Sequence, residues 1–213
     1  MSGTTLGISV IAVVVLAFLG WSIYNIGKGG DAVAAYLEAQ RDDDPDLPGK
    51  YIPPHPGADG QVETSDDRSH FGTGTVVPIC TADQLASGNV SNPLCYTSNP
   101  PTSGPHADQP MPFKVLENPA PKENLVHNME HGGIVIWYNT SNQDVINQLK
   151  SITQDNVDRR RFVVMTQYTG MEADTIAVTA WTRMDKFPVS EFDKKRIDDF
   201  ISEHHKRFNP EGF

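Results

Sequence analysis

The chain has 213 residues, with 17 basic and 27 acidic side chains and a net charge of −10. That length suits one domain with appendages, and the acidic balance argues against a nucleic-acid partner, which needs a clustered basic surface. Two cysteines exclude a disulfide-dense scaffold and any four-cysteine zinc or iron–sulfur centre.

Residues 1–27 contain no Asp, Glu, Lys or Arg, and the 21 residues from Leu6 to Ile26 are predominantly apolar. Roughly 20 such residues in a helix cross a bilayer core. The stretch therefore predicts a single-pass transmembrane anchor over residues 1–27. Trp21 and Tyr24 lie at its downstream end, where amphipathic rings favour the headgroup zone. A signal peptide fits less well, because MSGTT offers no basic residue ahead of the apolar run. Lys28 and Arg41 follow the span, which by the positive-inside rule weakly favours a cytoplasmic domain. The cysteines argue the other way.

Residues 28–44 form a juxtamembrane linker. Lys28-Gly29-Gly30 breaks the helix, and Asp31 caps a short amphipathic helix that RDDDPD ends. From Pro45 to Pro121 the chain holds 14 of its 16 prolines. Proline fixes φ and lacks an N–H, so long helices and central strands are improbable there. Residues 45–125 read as an irregular segment that either wraps a core or reaches out to a partner, with elements such as Thr75-Val-Val-Pro favouring wrapping. Cys80 and Cys95 lie inside it. A disulfide closing about 15 residues contributes roughly 3 kcal/mol in the chain-entropy model and persists outside the cytoplasm; two buried free thiols are the alternative. The disulfide reading puts the domain on the extracytoplasmic side.

Residues 126–213 read as the core. Gly133-Ile-Val-Ile-Trp-Tyr predicts a buried strand, Ser141 with Asp144 a capping box, and Val145, Ile146, Leu149 and Ile152 a helix. Arg161–Thr166 and Thr175–Trp181 predict two further strands, joined by a hairpin over Tyr168–Asp174. Ser190 with Asp193 predicts a second capping box, opening a closing helix to about Phe208. His204 and His205 are expected at its exposed end, beside Lys206 and Arg207. The fold class expected is α+β: an N-terminal transmembrane helix, then a small extracytoplasmic β-α-β-β-α domain with helices on one face of its sheet, wrapped by the Pro-rich segment.

The densest chemistry is PPTSGPH at 100–106 with VHNMEHGG at 126–133. His127 and His131 share a face if the stretch is helical, and Met129 and Glu130 lie between them. Imidazole with carboxylate suits zinc or iron, and imidazole with thioether suits copper. His106 is a third candidate ligand, so the metal set is His106, His127, Met129, Glu130 and His131, with copper or zinc as the ion. The spacing is not the zinc-protease H-E-x-x-H. The competing reading is structural, with Glu130 and His131 tying the Pro-rich coat to the strand and Gly132 and Gly133 permitting close approach. A hydrolase using His131 and Glu130 is a further alternative, although Ser103 lacks the G-x-S-x-G elbow and reads as a turn with Gly104 and Pro105. No catalytic constellation is recognised, and the chain reads as a non-enzyme.

PPTSGPH, VHNMEHGGIVIWYN, AVTAWTR at 177–183 and the tail FPVSEFDKKRIDDFISEH resemble the domain-of-unknown-function family numbered thirty-one-oh-five over roughly residues 70–210. The resemblance implies a domain following a single N-terminal membrane helix and implies no activity. Many members carry a second His after SGPH, where this chain has Ala107; a site patterned on them lacks that ligand. The leading functional expectation is a non-catalytic accessory subunit of a membrane complex, such as a photosynthetic reaction-centre or respiratory assembly. Its partners would be integral membrane subunits and the lipid bilayer. The alternative is an extracytoplasmic copper or zinc protein using His127, His131 and His106.

Overall fold

The computed structural model describes residues 46–55 and 68–208. The chain divides into two compact units, Met1–Ala39 and Gln40–Phe213, and every described residue belongs to the second. The expected membrane span, with Trp21 and Tyr24, and the juxtamembrane helix lie outside the described residues. Among those described, no helix is long and apolar enough to cross a membrane.

The domain is α+β with a mixed sheet. In chain order the strands are β1 (Lys50–Tyr51), β2 (His70–Phe71), β3 (His106–Ala107), β4 (Ile134–Asn139), β5 (Val163–Gln167), β6 (Thr175–Ala180) and β7 (Arg183–Pro188). The helices are α1 (Ala82–Ser87), α2 (Lys122–Glu130), α3 (Gln143–Asp158) and α4 (Lys194–His204). The main sheet has the order β1-β7-β6-β4-β5, with β4 and β5 parallel and the other pairs antiparallel. The continuous apolar run of β4 is what a central strand buried on both faces requires. Ile134, Ile136, Val163, Met165, Ile176 and Val178 pack with Val145, Leu149 and Ile152 of α3 and with Ile197, Phe200 and Ile201 of α4. Strand alternation turns Val135 and Trp137 to the opposite face, where Trp137 Nε1 donates to Thr179 Oγ1 at 2.7 Å.

Several local expectations need correction. Tyr168–Asp174 is not a hairpin. The strand β6 pairs with β4, and β5 lies on the other side of β4. The seven-residue connection exceeds the tight two- to five-residue loops that join neighbouring strands. The true hairpin joins β6 to β7 through Trp181-Thr182, with Ala180 opposite Arg183 and Thr182 at φ +58°. The strand β7 escapes pattern reading because Arg183 and Asp185 interrupt its apolar residues. Asp185 is held by a bidentate pair from Arg196, at 2.6 Å for each contact. The two capping boxes are also displaced. Asn142 caps α3, accepting from the N–H groups of Asp144 and Val145, and Asp193 itself caps α4. Asn142 lies one residue, and Asp193 three residues, beyond the serines expected to cap these helices.

The closing helix ends at His204, which is buried rather than exposed. Its Nε2 donates to the Pro48 carbonyl at 2.8 Å, so the chain before β1 covers it. His205 accepts from the Phe162 N–H at 3.1 Å, and burial pushes its imidazole down to about 4.

The described parts of the Pro-rich segment, residues 46–55 and 68–125, form an ordered coat. Cys80 and Cys95 form a disulfide. Lys114 and Leu116 exchange backbone hydrogen bonds with Met165 on the edge strand β5. Thr182 N–H donates to Thr102 O, and Ala120 N–H donates to Thr166 Oγ1. Buried Glu123 accepts from the Val77 N–H at 2.9 Å and from Lys122 at 2.6 Å. The expected Thr75-Val-Val-Pro element is therefore held by a side chain, with no strand of its own.

Candidate metal centre

The coat and the core each supply half of a histidine–carboxylate cluster. From the core, α2 presents His127 and Glu130 in its last turn, and His131 is its C-cap. The helix ends there because Gly132 adopts φ +73°, and a Cβ on Gly133 would lie 2.5 Å from the Asn128 carbonyl. Only glycine permits so abrupt a passage from α2 into β4. The partial negative charge of a helix C-terminus favours a cation at this end.

From the coat come His106 and His70. The two-residue strands β2 and β3 pair in parallel with His70 opposite His106. The 100–106 hook is braced from below. Fully buried His55 donates from Nε2 to Cys95 O at 2.9 Å, and its own N–H donates to Ser103 Oγ at 3.0 Å. Gly104, at φ +115°, lies against the His55 side chain, where an added Cβ would come 3.1 Å from the His55 Cβ and 3.2 Å from its ring. Tyr96 Oη donates to the Pro105 carbonyl at 2.8 Å. Ser103 is thus a buried turn residue, as its sequence context suggests.

The ring geometry is specific. Nδ1 of His106 donates to Gly104 O and Nδ1 of His127 donates to Ala107 O, each at 2.8 Å. Both rings therefore turn Nε2 inward. His106 Nε2 lies 2.9 Å from Glu130 Oε2 and 3.2 Å from His70 Nε2, and His70 Nε2 lies 3.5 Å from the same carboxylate oxygen. His70, His106 and His127 each place a ring nitrogen within 4.8 Å of the others, an arrangement able to hold a metal ion. His127 Nε2 also lies 2.9 Å from His131 Nε2.

Burial raises the Glu130 carboxyl, but the His106 hydrogen bond and the charges of His106, His70 and Arg68 outweigh it and hold the group below the ordinary carboxylate range. Its other oxygen, Oε1, is buried and accepts no hydrogen bond, with Arg68 Nε 4.0 Å away. Burial lowers the His127 imidazole, and like charge on His106, His131 and His70 adds to this against the opposing bond to Ala107. His127 is therefore neutral at neutral pH.

Of the residues singled out in the sequence, His106, His127, Glu130 and His131 come together. Met129 is fully buried, and one helical residue beyond Asn128 it lies about 200° around α2 from His127. His70 is the member that sequence reasoning missed. It is 36 residues from His106 and is placed by a two-residue strand pair that has no detectable period. Two surface grooves lie away from the cluster, beside β4 and α3 (Tyr138, Lys150, Gln154) and beside α4 (Asp185, Arg196, Asp199).

An α+β domain whose coat and core meet at a histidine–carboxylate cluster defines the class. A family profile described as "Protein of unknown function (DUF3105)" matches residues 89–212, more than half of the chain, and the chain belongs to that family. Comparison with curated proteins and with solved structures finds no match.

Proposed function

We propose that the domain binds one divalent transition-metal ion, zinc or copper, through His70, His106 and Glu130, with His127 completing the set. One observation carries this reading. The Nδ1 hydrogen of His106 is committed to Gly104 O, so in the neutral ring Nε2 is a lone pair, yet it faces a carboxylate oxygen at 2.9 Å. Two acceptors at that distance repel unless a cation, either a proton or a metal ion, lies between them. Metal–ligand bonds of 2.0–2.1 Å at a tetrahedral centre separate donor atoms by about 3.3 Å. The separations of 2.9, 3.2 and 3.5 Å among His106, His70 and Glu130 bracket that value. Backbone carbonyls on the outer nitrogens of His106 and His127 are the partners that orient metal-bound imidazoles. Nitrogen and oxygen donors without thioether favour zinc or cupric ions over cuprous.

Elemental analysis of the full chain, purified in mild detergent, tests the reading. One ion per chain, lost in His106→Ala, is the expected result; no stoichiometric ion after loading contradicts it.

An accessory-subunit role in a membrane assembly is the second reading. Val76 and Leu85 favour it: these large apolar side chains of the coat are 77% and 46% exposed, as a docking face would leave them. The cystine supports an extracytoplasmic address for either reading. Co-purification from mild detergent tests it; recovery of the chain alone counts against a subunit.

A further inference from the structure

Resting on the metal-binding reading, we infer that His131 is an exchange ligand. It forms with His127 an outer station where the ion is received, before passing to the buried set of His70, His106 and Glu130. Distances and burial separate the two stations. The Nε2 atoms of His127 and His131 are 2.9 Å apart, close enough to flank a single ion. Burial grades inward, from half-buried His131 through His127, 6% exposed, to fully buried His106 and Glu130.

His127 belongs to both groups. Its Nε2 reaches His131 on one side and lies within 4.8 Å of the ring nitrogens of His70 and His106 on the other. Because Nδ1 stays bonded to Ala107 O, His127 has one lone pair to offer, and it serves one position at a time. The stations are therefore alternatives for one ion and not seats for two, and the repulsion between two divalent ions so close reinforces this. His131 stands on a fixed frame, as the C-cap of α2, and the next residue accepts a backbone bond from Lys206 at 3.0 Å. His70 is also partly exposed, but its nitrogen lies 3.5 Å from buried Glu130, which assigns it to the retained set.

An ion held this way is exchangeable cargo: a ligand on the outside can join the ion at His131 before the inner ligands let go. This casts the domain as one that receives and hands on a divalent ion.

The test uses the full chain in mild detergent, loaded with Zn2+, and follows transfer of the ion to a chromophoric chelator by stopped flow. The expected result for His131→Ala is one Zn2+ per chain, affinity within about twofold of the parent and transfer slowed by about tenfold, a barrier change of the size one lost contact makes. His131→Asp, which restores a ligand, recovers the rate, and an unchanged unfolding midpoint for both variants shows the fold intact. Two ions per chain in the parent overturn the inference. So does an affinity loss in His131→Ala matching that of His106→Ala, or unchanged transfer. If the parent binds no Zn2+ the metal reading itself fails and this inference falls with it, a result distinct from the others.

Discussion

The layer of sheet and helices and the Pro-rich coat are held together by different means. In the layer, Ile136, Leu149, Ile152, Phe200 and their neighbours share one apolar interior, so stability is distributed over many contacts. The coat has a small apolar cluster of its own, Cys80, Val90 and Cys95. It is tied to the layer mainly at discrete points: Val77 to Glu123, Thr182 to Thr102, Lys186 to Asn99, His106 to Glu130, and the paired backbone bonds of Lys114 and Leu116 with Met165. A layer held by area tolerates loss of one contact in proportion to volume, whereas a coat held by points moves as a unit when a point fails. The candidate ligands straddle this divide, so the site exists only while the coat is seated.

The largest effect expected is in the layer. Leu149→Ala deletes a fully buried side chain and should cost about 2–5 kcal/mol, read from denaturant unfolding. Metal stoichiometry should persist wherever the variant remains folded. The coat should answer differently. Replacing both Cys80 and Cys95 by Ser should cost about 3 kcal/mol for a separation of 15 residues. It should also weaken metal binding, because His55 and Tyr96 brace the 100–106 hook against the disulfide loop. A Cys variant that loses stability without losing affinity would break the proposed link between coat and site.

Acid provides a third comparison within the layer. Burial depresses His204 and, to about 4, His205. The unfolded chain then binds protons that the folded chain refuses, so stability is complete at neutral pH. It falls as pH drops below about 6.5, the ordinary imidazole value, and for His205 the loss is complete near 4. Denaturation midpoints at pH 7, 5.5 and 4.5, measured with chelator present, should decline in that order, and His205→Asn should flatten part of the slope. The smallest effect is Asn142→Ala, which removes the cap of α3 and should cost about 1 kcal/mol with the site untouched.

Legibility in the sequence follows the same divide. Strands β4, β5 and β6 and helices α3 and α4 announce themselves because burial imposes a period on many residues. The strand β7 does not, since Arg183 and Asp185 are buried or half-buried by pairing rather than by apolar character. Sheet order is also beyond the pattern: nothing local to Tyr168–Asp174 states that β6 will cross to the far side of β4. In the site, the i, i+4 spacing of His127 and His131 is legible because a helix carries it, and SGPH marks His106 through its turn residues. His70 is invisible because its position depends on a two-residue pairing with β3. Met129 reads as a ligand by adjacency alone, while the helix turns it into the interior.

The central claim is most directly tested by X-ray absorption at the zinc edge of the Zn2+-loaded full chain. The account predicts a shell of nitrogen and oxygen at about 2.0–2.1 Å with imidazole back-scattering from at least two histidines, diminished in His106→Ala. A sulfur shell near 2.3 Å, or zinc whose surroundings are the same with and without His106, would contradict it.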